Sequence, residues 1–273
     1  MKKFHLRGYI ELYIINECNL TCSNCNRYNN YNFSGHYDWQ QHEKAILTWG
    51  QRLSAQMVTI IGGEPFLHPD LLHWSSLVKR AWPEHSIIIQ SNGTVYHHDI
   101  DEILKIENLS ISVAVHHPGL LKKIKKTNSR FVLKHNGSIK PNVAVEDDFS
   151  DCALVDRGLF FEVYDSDNIL ESFNACTMKY SHTIFQGRLY KCPMVAVLPE
   201  FRKQFNVRLS QQQQELLESY PSLSSDCSDA ELEKFLNEED SPIPQCKLCP
   251  KSYETRKITF DANRKTRQKI TPG

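Results

Sequence analysis

The sequence predicts an α/β protein organised around a mostly parallel β-sheet. Segments rich in β-branched and aromatic residues alternate with helix-like segments over the first 165 residues. The predicted strands are residues 8–15, 56–61, 85–90, 109–115, 130–135 and 158–165. Such alternation places helices in the crossovers between parallel strands, as in a doubly wound sheet or a barrel. Six repeats are too few for a closed eight-stranded barrel.

The helix-like segments carry start signals and apolar faces. Residues 38–53 follow an N-cap candidate at Asp38. Residues 70–81 repeat apolar side chains at helical spacing, at Trp74, Leu77, Val78 and Ala81. The first 165 residues therefore form the predicted core of the protein.

Composition and charge exclude several classes of protein. The chain has 273 residues, with 32 basic and 32 acidic residues, so its net charge does not indicate a nucleic-acid partner. Its first residues lack the apolar region of a signal peptide, and the sequence has no apolar run of about 18 residues or more. We therefore expect a cytoplasmic protein without a membrane partner.

Nine cysteines dominate the chemistry of the sequence. In a reducing compartment, clustered cysteines indicate metal ligands or redox chemistry instead of disulfides. They form a first group, Cys18, Cys22 and Cys25, and a late group, Cys176, Cys192, Cys246 and Cys249. The first group has three cysteines, one ligand fewer than a closed site needs. If this group binds zinc, His36 or Cys152 would supply the fourth ligand. Cys152 and Cys227 are otherwise expected to have no role, although Cys152 is a candidate hydrogen-atom donor.

The first cysteine group follows a predicted strand with the spacing C-x3-C-x2-C, which resembles the motif of the radical S-adenosylmethionine (SAM) superfamily. "TIIGGEPFLHPDL" at 59–71 resembles the GGEP motif of the same family. The resemblance implies a partial (β/α)6 TIM-like barrel and a [4Fe–4S] cluster held by three cysteines and SAM. It also implies SAM-binding residues in the GGEP motif and in a Ser-Asn-Gly turn. These are Gly62, Gly63, Glu64, Pro65, Ser91 and Asn92.

The late cysteines are spaced C-x10-G-x4-C and then C-x2-C, which resembles the SPASM and Twitch subdomains of radical SAM enzymes. The resemblance implies a small cysteine-rich Twitch-like subdomain over 166–250, with an auxiliary [4Fe–4S] cluster on four cysteines. A hairpin turning at Gln186 and Gly187 is expected to bring Cys176 and Cys192 to one side. A structural zinc site would use the same four cysteines. Helices are predicted near 209–219 and 228–239. The basic tail, 251–273, is expected to be a solvated or frayed terminus, with contact to an anionic partner as the alternative.

The resemblance implies a radical SAM oxidoreductase that forms a 5′-deoxyadenosyl radical and oxidises a small polar substrate. The auxiliary cluster would accept the electron, and a flavodoxin- or ferredoxin-type protein would be the reductant. His116 and His117 end the fourth predicted strand and are candidate bases for a substrate proton. The alternatives are a peptide maturase that installs a radical cross-link, a radical epimerase and, remotely, a non-catalytic zinc-binding interaction module.

Overall fold

The computed structural model describes the chain with short gaps. The backbone is described for residues 2–95, 97–134, 142–145, 148–150, 153–252, 255–266 and 269–270. Side chains are described in the same ranges outside 128–150 and 255–257. Within these ranges, no helix combines the length and the apolar character needed to cross a bilayer.

The secondary structure alternates as the sequence predicts. The strands in the described ranges are β1 (Phe4–His5), β2 (Tyr9–Tyr13), β3 (Leu53–Ser54), β4 (Met57–Ile61), β5 (Ile87–Ser91), β6 (Leu109–Val115), β7 (Asn142–Val145), β8 (Asp148–Ser150), β9 (Leu154–Asp156), β10 (Phe161–Val163), β11 (Ser181–Phe185), β12 (Arg188–Tyr190), β13 (Val207–Arg208) and β14 (Thr255–Lys257). The α-helices there are α1 (Trp39–Arg52), α2 (Leu71–Ala81), α3 (Ile100–Ile103), α4 (Leu121–Lys134), α5 (Ile169–Ala175), α6 (Pro193–Arg202), α7 (Gln211–Glu218) and α8 (Asp229–Asn237). Short 3-10 helices span Pro65–Leu67, Pro118–Leu120, Pro244–Leu248 and Ala262–Thr266.

The main sheet has seven strands in the order β12-β11-β2-β4-β5-β6-β7. All neighbours from β11 to β7 are parallel, and only the edge strand β12 runs antiparallel. The register aligns Leu12 with Ile60 and Ile60 with Ile89, all of which are buried. Burying such residues on neighbouring strands is what favours this register over a slip by one residue. The predicted α/β class and partial barrel are confirmed.

One predicted strand was wrong, and another lies in a different sheet from the one expected. Residues 130–134 lie in α4, and His135 lies outside the described residues. Leu121, Ile124 and Thr127 recur at helical spacing before that segment, and Ile124 is fully buried, so an amphipathic helix outweighs the local β-branched content.

The segment 158–165 contributes only β10, which lies in a separate three-stranded sheet, β13-β10-β9. A tight turn precedes it, in which Gly158 has φ +87° and its N–H donates to Asp156 Oδ1 over 2.8 Å. This turn pairs β10 antiparallel with β9. The sixth parallel strand of the main sheet is instead β11, at the opposite edge and hydrogen-bonded to β2.

The predicted helices and the hairpin are confirmed. Asp38 caps α1 by accepting a hydrogen bond from Gln40 N, and the apolar face of α2 is buried. Helices α7 and α8 both begin with a capping box. Gln186 and Gly187 have φ +48° and +75°, as a two-residue turn between β11 and β12 requires.

The two faces of the sheet bury different cores. Ile10 and Leu12 of β2 pack with helices α1 and α2 on one face. Tyr13 and Phe185 pack on the other, with a group of aromatic residues from the loop after β2, from β10 and from α6 and its C-terminal end. Its largest members are Tyr28, Tyr31, Phe33, Phe161, Phe201 and Phe205. The loop that carries the first three cysteines is therefore anchored by its own aromatic side chains.

Candidate metal and cofactor site

The first three cysteines lie on the loop that follows β2. Asn24 and Tyr28 in this loop have φ +55° and +61°, and Tyr28 N donates to Cys25 O over 3.0 Å, so the chain turns tightly after Cys25. The thiols of this loop are free and lie close enough together to interact electrostatically; they belong to Cys18, Cys22 and Cys25. The structure therefore brings the predicted first group together.

Burial makes the thiols of Cys18 and Cys22 hard to ionise without a cation. The pKa of Cys18 is raised to about 12, mainly by desolvation and then by the neighbouring carboxylate of Glu64. The pKa of Cys22 is also raised by burial, and then by Cys25 and Cys18. Leu20 N and Asn92 Nδ2 lie 3.4 and 3.9 Å from Cys18 Sγ and can donate to a thiolate there. Three thiols that share a loop, one buried and two half-buried, suit a metal cluster, which stabilises their ionised form.

The GGEP turn follows β4 and lies against the start of the cysteine loop. A Cβ added to Gly62 would meet Ile15 O at 2.5 Å, and one added to Gly63 would meet Glu17 O at 2.1 Å. Gly63 N donates to Ile15 O over 2.8 Å, and Glu64 N donates to Glu17 O over 2.7 Å. The two glycines therefore allow a close approach between two protein segments, which fixes the loop relative to β4.

Glu64 is fully buried beside Cys18. Its Oε1 accepts hydrogen bonds from Phe66 N and Ser91 Oγ at 3.0 and 2.8 Å, and its Oε2 accepts one from Asn92 N at 2.7 Å. Burial raises the pKa of Glu64 to about 7, and the three hydrogen bonds act in the opposite direction. The carboxylate therefore joins the GGEP turn to the Ser-Asn-Gly turn after β5.

A polar network extends from this carboxylate to the cysteine loop. Asn92 Nδ2 donates to Asn19 Oδ1 over 2.9 Å, and Asn19 Nδ2 donates to Thr94 Oγ1 over 2.7 Å. Thr94 Oγ1 in turn donates to Asn92 Oδ1 over 2.6 Å. Sequence analysis missed Asn19 and Thr94, although the position of Asn19 directly after Cys18 is a usable clue.

The two candidate bases differ in their surroundings. His117 is exposed, and its Nδ1 accepts a hydrogen bond from Gly119 N over 2.9 Å at the start of the 3-10 helix Pro118–Leu120. Its ring lies 5.3 Å from that of Phe260. His116 is half-buried. A base role for either histidine stays a prediction.

The late cysteines also come together. Cys176 ends α5 and Cys192 precedes α6, on either side of the hairpin β11–β12. The pKa of Cys192 is raised to about 12 and that of Cys246 to about 11, mainly by burial, with Cys176 acting in the same direction. Cys249 is buried, and its N–H donates to Cys246 O over 3.1 Å. Four thiols suit a closed iron–sulfur cluster or a zinc ion equally well.

The other two cysteines are placed differently. Cys227 Sγ lies 3.4 Å from Arg52 Nη1 at the contact between α1 and the start of α8, away from both groups. Cys152 lies outside the described residues.

Residues 258–266 of the C-terminal tail pack against the first cysteine loop, but most of the described tail side chains are exposed, so the expectation of a solvated tail holds only in part. Ser23 N donates to Thr259 O over 2.8 Å, and Thr259 N donates to Ser23 Oγ over 2.9 Å. Cys22 and Phe260 form an antiparallel bridge between the two segments. Two of its basic side chains, those of the half-buried Arg264 and Lys265, donate to backbone carbonyls of the loop.

Comparison with known proteins agrees with this arrangement. Residues 12–135 match the family model described as the Radical SAM superfamily. The matched part runs from β2 into α4 and its following residue, and it contains the first three cysteines, the GGEP turn and the Ser-Asn-Gly turn. This part of the chain is therefore similar to the domain of radical SAM enzymes, which holds a [4Fe–4S] cluster and SAM. The three thiols fit such a cluster by number and by softness.

Several solved structures are similar to the chain at low identity. BtrN in complex with AdoMet and 2-DOIA is 15% identical, with a TM-score of 0.48, over 93% of this chain and 94% of BtrN. SuiB from Streptococcus suis, bound to the precursor peptide SuiA, is 15% identical, with a TM-score of 0.41, over 50% of this chain and 32% of SuiB. anSMEcpe with bound AdoMet and the Cp18Cys peptide is 16% identical, with a TM-score of 0.38, over 51% of this chain and 42% of anSMEcpe. No curated protein sequence matches the chain.

Proposed function

We propose that this chain is a radical SAM oxidoreductase that acts on a small polar substrate, with Cys18, Cys22 and Cys25 holding the [4Fe–4S] cluster at which SAM is cleaved. The observation that carries the proposal is the meeting of these three thiols with Glu64 and Asn92 at the carboxyl ends of β2, β4 and β5. Parallel α/β folds bind their ligands at this edge of the sheet. When bound, the cluster and SAM supply a reductive cleavage that gives a 5′-deoxyadenosyl radical able to take a hydrogen atom from a substrate.

In this proposal the GGEP turn binds the methionine part of SAM. A carboxylate offers about four acceptor positions, and Glu64 uses three of them within the protein. In the complex, the ammonium group of SAM would take the position left on Oε2. Gly62, Gly63 and Pro65 shape the turn that holds this carboxylate beside Cys18.

Ser91 and Asn92 act here mainly by positioning Glu64. Ser91 Oγ donates to Glu64 and accepts from Gly93 N over 3.0 Å. The amide of Asn92 is shared between Asn19, Thr94 and Cys18 Sγ. Direct bonds from these two residues to the ribose or carboxylate of SAM would therefore replace existing bonds.

We further propose that Cys176, Cys192, Cys246 and Cys249 hold an auxiliary [4Fe–4S] cluster in a Twitch-like region over 166–250. Four protein ligands leave no open iron, so such a cluster would accept the electron of a substrate radical instead of binding substrate. A flavodoxin- or ferredoxin-type protein would supply the first electron. His116 or His117 would take the proton of a substrate alcohol. Peptide cross-linking and epimerisation remain the alternative reactions on the same radical domain.

The proposal is tested by anaerobic reconstitution, followed by measurement of iron, sulfide and zinc and by addition of SAM and dithionite. We expect iron for two clusters and formation of 5′-deoxyadenosine. The triple variant C18A/C22A/C25A should lose deoxyadenosine, whereas C227A, which removes a cysteine outside both groups, should retain it. If deoxyadenosine forms but the protein contains one cluster and one zinc ion, the radical SAM activity would stand and the auxiliary cluster would be ruled out as electron acceptor. Zinc without SAM cleavage would overturn the proposed function.

The substrate class is tested in the same assay. Polyhydroxylated small molecules should stimulate deoxyadenosine formation, and a substrate deuterated at the reacting carbon should transfer deuterium into deoxyadenosine. Stimulation by peptides alone would favour the maturase alternative.

A further inference from the structure

The described C-terminal segment 258–266 forms one wall of the first cysteine loop. Besides the paired bonds between Ser23 and Thr259, Asp261 N donates to Thr21 Oγ1 over 3.1 Å. Arg264 Nη1 donates to Thr21 O over 2.6 Å, and Arg264 also lines a cavity of about 140 Å³ beside Cys25. Ile258 is buried against Leu20 and Cys22. The segment therefore contacts the loop between its first and last cysteine through both backbone and side chains.

Lys265 makes the tightest connection between this segment and the loop. Its Nζ donates to Cys18 O over 2.8 Å, to Asn29 O over 3.0 Å and to Tyr31 O over 2.7 Å. An ammonium group has three donors, and these three carbonyls use all of them. Cys18 is the first cysteine of the loop, whereas Asn29 and Tyr31 follow the last one. Lys265 thus ties the two ends of the metal-binding loop to each other.

The same ammonium is close enough to Cys18, Cys22 and Cys25 to interact with the charge of each. Arg264 interacts in the same way with Cys22. The nearby carboxylates of Glu17 and Glu64 oppose this positive field. The half-buried position of Lys265 keeps its charge less screened by solvent than an exposed lysine would be.

A positive charge beside a metal cluster affects its reduction. Reduction adds one electron to the cluster, so the reduced form carries one more negative charge and is stabilised more by a nearby cation. Net charge and hydrogen bonding near the cluster are among the main factors that set the potentials of iron–sulfur clusters.

We propose that Lys265 is a positioning residue of the first cluster site, which holds the cysteine loop closed and makes the cluster easier to reduce by one electron. The electrostatic half of this inference rests on the proposed function, because it needs a cluster on Cys18, Cys22 and Cys25. The clamping half concerns the protein alone. The electron comes from the flavodoxin- or ferredoxin-type reductant, and from dithionite in the test.

The test compares Lys265→Met, which removes the charge and its three donors, with Lys265→Arg, which keeps the charge. Lys269→Met is the matched control, because Lys269 is a lysine of the same tail that donates to Ser34 Oγ over 2.6 Å. In the reconstituted full chain, a redox titration followed by electron paramagnetic resonance gives the midpoint potential. The signal that changes on adding SAM identifies the cluster with the open iron. In the cluster-free chain, hydrogen exchange reports the amides of Ser23 and Thr259.

We expect Lys265→Met to shift the midpoint potential of the SAM-sensitive cluster to a more negative value, with Lys265→Arg closer to the unchanged protein and Lys269→Met equal to it. We also expect faster exchange at Ser23 and Thr259 in Lys265→Met alone. An unchanged potential in a fully loaded Lys265→Met protein would overturn the electrostatic half, and unchanged exchange would overturn the clamping half.

Failure of the proposed function would look different. It would leave the unchanged protein without any SAM-sensitive signal, while the exchange experiment would still decide the clamping half. If Lys265→Met does not load iron, a more negative potential in Lys265→Arg than in Lys269→Met would contradict the proposal, because Arg retains the charge.

Discussion

Glu64 offers the sharpest test of how the candidate site is held together. Replacing it with Ala leaves three buried donors, Phe66 N, Ser91 Oγ and Asn92 N, without their acceptor. An unsatisfied buried donor costs about 1–3 kcal/mol. Removing the carboxylate also removes its own desolvation penalty, which is what raises its pKa to about 7. We therefore expect Glu64→Ala to lower the free energy of unfolding by about 3–6 kcal/mol, which is toward the lower end of the summed cost of three unsatisfied donors.

Glu64→Gln separates the hydrogen bonds from the charge. Its amide oxygen can keep the bonds to Phe66 N and Ser91 Oγ, but its NH2 group would face the donor Asn92 N, so we expect a loss of about 1–3 kcal/mol. Urea unfolding of the cluster-free chain, followed by circular dichroism, measures both values. Glu43→Gln is the control, because Glu43 forms an exposed ion pair with Arg80 that is worth at most about 1 kcal/mol. If Glu64→Ala costs no more than Glu43→Gln, the carboxylate does not hold the two turns together.

Three further predictions follow from other parts of the structure. Gly63→Ala places a Cβ 2.1 Å from Glu17 O, so we expect a loss of about 1–3 kcal/mol in urea unfolding and less iron bound on reconstitution; unchanged values would contradict the close approach. His68 is buried, and desolvation lowers its pKa to about 4 from an ordinary value of 6.5. Because the folded-state pKa is below the unfolded one, the contribution of neutral His68 to the free energy of unfolding is fully present above pH 6.5. This contribution is lost as the pH drops toward 4, which lowers the free energy of unfolding by up to about 3 kcal/mol. Thermal unfolding measured across this pH range should show a decline in stability that is smaller in His68→Gln. Ser228→Ala removes the capping box of α8 and should cost about 1 kcal/mol in urea unfolding, whereas Ser76→Ala, inside α2, should cost less.

Local chemistry in the sequence predicted much of the fold. Helix caps and the hairpin turn depend on a few neighbouring residues, which is why Asp38, Ser228 and the Gln186-Gly187 turn were correctly placed. The segment 130–135 failed because its β-branched content was weighed without the helical spacing of the residues before it. Strand partners depend on packing between distant segments, so the pairing of β11 with β2 was not predictable from either strand alone.

In the candidate site too, local sequence patterns predicted some features, whereas contacts between distant segments were not predicted. Cysteine spacing and the GGEP motif located the residues, because metal ligands of one loop lie close together in sequence. Neither pattern indicated that Glu64 would be occupied by three donors of the protein itself. The contact between the tail and the cysteine loop was missed for a related reason. A run of basic residues normally indicates solvent exposure, and only the folded structure shows which carbonyls accept hydrogen bonds from Lys265.

The position of β2 has a consequence for how the chain is made. Its parallel neighbour β11 is synthesised long afterwards, and Thr183 Oγ1 donates to Glu11 Oε2 across 172 residues of sequence. A nascent chain on the ribosome therefore holds β2 with one edge unpaired and its buried Glu11–Arg27 ion pair incompletely enclosed until residue 185 has emerged. Such long-range pairing is slow because the loop must close before the contacts form. A fragment that ends at residue 165 would keep this open edge permanently, so aggregation is its expected fate during expression.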